Sequence, residues 1–100
     1  MKYKIEGNVL NVLGDLAQPM DERFLNHLDT LLEQQEDEIV VDLTAVKFMV
    51  TWFVGQLAHI AVEAKTKNKH LRVKAKAGSK PAQLIRIGEL DRLLELELVE

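Results

Sequence analysis

Ile39-Val40-Val41, three consecutive β-branched residues followed by Asp42-Leu43, limits what this chain can fold into more than any other stretch. Successive side chains of a strand point to opposite faces, so apolar residues at consecutive positions predict a strand covered on both faces at the middle of a sheet. Shortly afterwards the period changes. Phe53, Leu57, Ile60 and Ala64 recur at intervals of three and four, which predicts a helix from near Thr51 to about Asn68 with Gln56, His59 and Glu63 to the side. A buried strand that feeds an amphipathic helix through a short link indicates an α/β fold.

The flanking segments fit that class. Lys2 to Glu6 alternates polar and apolar, Gly7-Asn8 signals a turn, and Val9 to Leu13 is rich in strand formers, so the chain opens with a hairpin that Gly14-Asp15 ends. After Pro19, the residues Phe24, Leu25, Leu28, Leu31 and Leu32 share one helical face, with Asp21 as the expected N-cap. Leu71 to Lys76 alternates apolar and basic residues, which predicts a strand with one solvated face carrying Arg72, Lys74 and Lys76. Gly78-Ser79-Lys80-Pro81 is a turn into a short helix that Gly88 closes. Leu94 to Val99 alternates again and predicts a last strand, with a helical turn over Asp91 to Leu96 as the alternative. This order predicts a mixed β-sheet with the helices packed on one face.

Composition narrows function mainly by exclusion. A length of 100 residues predicts one domain over 1–100, able to bury roughly 60 to 65% of its unfolded surface. The 47% hydrophobic and 29% charged residues are those of an ordinary globular protein. A net charge of -3 argues against general nucleic-acid binding, which needs clustered cations to neutralise phosphates. The absence of cysteine excludes disulfides and thiolate metal sites and fits a reducing cytoplasm. The opening residues are not followed by the apolar run of a secretory signal, and Phe48 to Gly55 is far short of the ~20 residues that span a bilayer, so neither export nor membrane insertion is expected.

Residues suited to chemistry are few. His27, His59 and His70 have no Ser or Cys nucleophile placed to need a base. His59 and Glu63 are four apart, but two ligands do not make a metal site. Asp42 at a strand end suits a turn or a loop N–H better than catalysis, since it lacks a carboxylate partner. Gly78-Ser79-Lys80 lacks the spacing of a phosphate loop. The basic run Lys65, Lys67, Lys69, Arg72, Lys74, Lys76 and Lys80 has no interleaved aromatics for stacking on bases, and cross-strand pairing with Glu95 and Glu97 accounts for it if those strands are neighbours. No catalytic residue, metal site or cofactor is expected.

The segment Val41-Asp42-Leu43-Thr44-Ala45-Val46-Lys47-Phe48-Met49-Val50-Thr51-Trp52-Phe53-Val54-Gly55 resembles the STAS domain of sulphate transporters and anti-sigma factor antagonists, in which a hydrophobic strand and Asp-Leu-Ser-Gly-Val-x-Phe-Ile lead to Asp-Ser-Ser-Gly-Leu-Gly at the mouth of a helix. Gly88-Glu89-Leu90-Asp91-Arg92-Leu93 resembles the family's Thr-Gly-Leu-Asp-Arg-Leu tail. The likeness covers most of the chain and implies the same one-sided mixed sheet, a cytoplasmic bacterial protein, and Phe48 and Met49 as core at the strand end. It also implies a non-catalytic protein-interaction domain in partner switching, where phosphorylation of a hydroxyl at the helix mouth controls binding to an anti-sigma factor kinase. The switch motif is altered. Val50 stands in place of the family's Asp, Thr51 matches the first hydroxyl, Trp52 replaces the second, which is the usual acceptor, and Phe53 replaces the first Gly. Thr51 is therefore the phosphorylation candidate, with a plain N-cap as its other reading, and Val50, Thr51, Trp52 and Phe53 are the expected partner-binding residues. Phe53 shares the apolar helix face and suits core packing, whereas Trp52 lies off that face and suits an interface anchor. The partner is expected to be a kinase of that type or another STAS protein, with homo-oligomerisation open. The alternative is an accessory subunit of a membrane lipid ABC transport complex.

Overall fold

The computed structural model describes residues 3–15 and 22–100, with side chains from residue 26 onward in the second stretch. Its elements follow one another as β1 (Tyr3–Glu6), β2 (Val9–Val12), α1 (Glu22–Leu32), β3 (Glu38–Asp42), α2 (Thr51–Thr66), β4 (His70–Lys76), α3 (Lys80–Ile87), a 3-10 turn (Leu90–Arg92) and β5 (Glu95–Val99). Asp21, the expected cap of α1, and the side chains of Phe24 and Leu25 lie outside the described residues.

The sheet order is β1-β2-β3-β4-β5, antiparallel between β1 and β2 and parallel thereafter. Gly7 at φ 59° makes the tight turn of the hairpin. Each parallel neighbour is reached through a helix, and connections of one hand that step always in the same direction lay every helix on the same face. That face carries Leu10, Val12, Ile39, Val41, Leu71 and Val73, which form one cluster with Leu28 and Leu31 of α1, Phe53, Leu57, Ile60 and Ala64 of α2, and Ile85 of α3. The mixed α/β fold with helices on one face is as the periodicities predict.

Among the described residues, no helix covers the opposite face. Glu38, Arg72, Lys74, Glu95 and Glu97 stand there, and β4 lies beside β5, so the basic and acidic strands meet: Arg72 reaches Glu38 at 2.9 Å and Glu97 at 3.1 Å, and His70 reaches Glu95 at 3.4 Å. The expectation that β3 is covered on both faces is corrected by this arrangement. Val40 is 3% exposed although it points away from the helices, because it sits between Val9 and Arg72 on the adjoining strands. Lateral crowding in the centre of a sheet buries a valine without a second layer.

The remaining differences are at boundaries. Asn68, at φ 58°, stops α2 before the expected end. The last segment resolves into a strand, with the helical turn displaced upstream to Leu90–Arg92. Ser79 caps α3 by accepting from the Ala82 N–H at 3.4 Å, with Pro81 in the first turn.

Candidate protein-contact site at the mouth of the second helix

The loop that delivers α2 starts at the end of β3. Asp42 Oδ1 accepts from the Thr44 N–H at 2.9 Å and from the Thr44 hydroxyl at 2.6 Å, which is the turn-holding role expected of that carboxylate. Leu43, Val46 and Met49 then plug into the core at 0, 2 and 1% exposure. Phe48 does not follow Met49 inward. It is 47% exposed, which corrects the expectation of core, because the loop buries every third residue and Phe48 falls between two buried positions. The N–H groups of Lys47 and Phe48 both donate to Asp15 Oδ1, at 2.9 and 3.2 Å.

Val50, with extended backbone at φ -78° and ψ 153°, occupies the N-cap and supplies no side-chain cap bond. Thr51 is therefore the first residue inside the helix, not its cap, and its side chain is exposed. The Phe53 N–H donates to the Val50 carbonyl at 3.0 Å, and no acidic residue occupies the first turn, so the positive end of the helix dipole is unneutralised by its own turn. Phe53 is 1% exposed and belongs to the core, which removes it from the expected contact surface. Val50 and Trp52 are half-buried, and Trp52 packs against the core while keeping part of its ring at the surface. On the other flank, a side chain added at Gly88 would meet Leu84 O at 3.3 Å and Val54 Cγ1 at 3.5 Å, so the end of α3 abuts the first turn of α2 and places the 78% exposed Ile87 nearby.

The family model described as Mlab, STAS domain matches residues 1–99. The chain belongs to this STAS-domain family. A comparison with curated proteins finds no match. In this STAS domain β3 leads through the link of 43–50 into α2, and the helix mouth presents the half-buried Val50 and Trp52 on either side of the exposed Thr51.

The other candidates resolve into structural roles. His27 Nδ1 is hydrogen-bonded to the Tyr3 hydroxyl, with the rings edge-on at 65° and 5.5 Å, tying α1 to the edge strand. His59 lines a shallow cavity between α1 and α2 with Leu28, Asp29, Leu32, Gln56 and Ile60. Among the described residues no three His, Asp or Glu side chains are grouped to hold a metal ion, and no helix is long and apolar enough to cross a membrane. Within the basic run, Lys69 Nζ donates to the Gln34 and Glu36 carbonyls, the latter at 2.7 Å, and Lys74 lies 4.0 Å from Glu97. Asp15 escaped the sequence reading because its partners are 32 and 33 residues away, and its only local signal was the Gly-Asp that ends β2.

Proposed function

We propose that this STAS domain is a non-catalytic, cytoplasmic subunit that binds an ATPase partner constitutively through Val50, Thr51 and Trp52. The observation that carries this reading is Trp52. It stands where the family's usual phosphoacceptor sits, and it is half-buried against the core. An indole at that place cannot be switched by phosphate, whereas a partly exposed, rigid Trp suits a permanent interface anchor. That favours an accessory subunit of a membrane lipid ABC transport complex, one of the settings in which STAS domains bind an ATPase.

A second reading, partner switching with an anti-sigma factor kinase, is favoured by Thr51. Its exposed hydroxyl stands at a helix N-terminus with no acidic side chain in the first turn, a setting that favours an added phosphate of about -1.5 to -2 charge. Affinity purification of the tagged chain, then mass spectrometry and calorimetric titration of the purified ATPase, separates the two. A transporter ATPase with unmodified Thr51 is the expected outcome. A histidine-kinase-like ATPase together with phosphate on Thr51 would establish switching, and recovery of neither would remove both readings.

A further inference from the structure

Besides the β-bridge at Met49, a few backbone bonds to described residues hold the loop from Leu43 to Val50. The Leu43 N–H is held by the Lys74 carbonyl at 2.8 Å, the Val46 N–H by the Leu43 carbonyl at 3.0 Å, and Thr44 by Asp42. Between those anchors and α2, the N–H groups of Lys47 and Phe48 converge on Asp15 Oδ1. Two successive backbone N–H groups on one anionic oxygen form a charge-assisted pair, stronger than neutral hydrogen bonds and directional at both donors. Asp15 follows Leu13-Gly14 at the end of β2, so this pair pins the outgoing strand to the loop that enters α2. Exposed apolar side chains flank the clamp on both segments, Leu13 at 54% and Phe48 at 47%.

We propose that Asp15 is a positioning residue for the partner surface: by holding the Lys47 and Phe48 N–H groups, it sets the path along which the loop presents Phe48, Val50, Thr51 and Trp52. Asp15 acts through the loop, without touching the partner. The inference rests on the helix-mouth reading above. Without the clamp, the loop keeps Val46 and Met49 in the core, and Val50 keeps its bond from the Phe53 N–H, but the turn at Lys47 and Phe48 loses its anchor and the direction in which Phe48 points is no longer set.

Trp52 is the chain's single tryptophan, so its emission reports on the helix mouth without a label. In Asp15→Ala, amide exchange at Lys47 and Phe48 is expected to quicken at least about tenfold while Val41 and Val73 keep their protection. Acrylamide quenching of Trp52 is expected to rise, and affinity for the purified ATPase to fall at least about tenfold, with the melting temperature little changed. Asp15→Asn keeps an oxygen in the same place and is expected to hold affinity within about threefold of the parent. Should Asp15→Ala not fold, Asp15→Glu takes its place, because it keeps the charge and moves the oxygen by one methylene. Freed amides with unchanged affinity would overturn the proposal, as would Asp15→Asn binding as poorly as Asp15→Ala while its Lys47 and Phe48 amides stay protected, which would make the charge itself the contact. Trp52→Ser, titrated alongside, isolates the underlying reading: affinity unchanged there removes the helix mouth as the interface, whereas affinity lost there but kept in Asp15→Ala removes only the positioning role.

Discussion

Thr51 and Trp52 are adjacent, yet about 100° of helical rotation gives them unlike surroundings. Thr51 stands exposed at the first helical position, and Trp52 packs partly buried against the core. Because Val50 already provides the extended cap, Thr51→Val removes no cap bond and is expected to leave stability within about 0.5 kcal/mol. A denaturant midpoint lowered by about 1 kcal/mol would instead return the capping role to Thr51. Trp52→Ser behaves differently. Its ring is partly buried, so the fold is expected to lose roughly 1 to 2 kcal/mol, with a further loss of at least about 2 kcal/mol in partner binding. Thermal melts beside calorimetric titration measure the two losses separately, and a stability loss with no binding loss would make Trp52 core alone.

At the scale of elements, α2 owes its position to burial more than to capping. Leu57 is 0% exposed at the centre of the helix face and lies in the same cluster as Val41 and Val73, so Leu57→Ala is expected to cost about 2 to 5 kcal/mol. An unchanged midpoint would mean that the helix face is misplaced. The end of α3 shows why a glycine signal can mark the right place for the wrong reason. Gly88 stops the helix as its composition suggests, yet its φ is -78°, and the left-handed backbone falls on Glu89 at φ 57°. Gly88 is useful for lacking a side chain against Leu84 and Val54, while Glu89 bears the conformational strain. Glu89→Gly is expected to raise stability by up to about 1 kcal/mol, less whatever the more flexible unfolded chain takes back. Urea titration checks it, and a clear loss would show that the Glu89–Arg92 contact at 3.9 Å outweighs the strain.

Across the whole molecule, one apolar cluster joins all three helices to the sheet, while ion pairs occupy the open face. The groups of that face are partly exposed, with Arg72 at 29% and Glu97 at 38%, so they add little net stability and serve more to align β4 with β5. With its stability concentrated in one core, the chain is expected to unfold in a single transition, with Trp52 emission and far-ultraviolet dichroism giving coincident curves. An earlier Trp52 transition would mean that the helix mouth melts as a separate unit. The hairpin, the buried face of α2, the alternation of β4 and the start of α3 were legible from residues 39–99 and 2–13 alone, because each is a periodicity or turn signal contained within a few neighbours. The family likeness was legible for the same reason, being carried by contiguous residues. What required the tertiary structure was every property that depends on another strand or loop: the burial of Val40 between Val9 and Arg72, the exposure of Phe48, the pairing of Glu97 with Arg72, and the reach of Asp15 to the loop before α2. Periodicity states which way a side chain points relative to its own element. Only the packed chain determines what it meets there, since those partners lie tens of residues away and are brought together by the core.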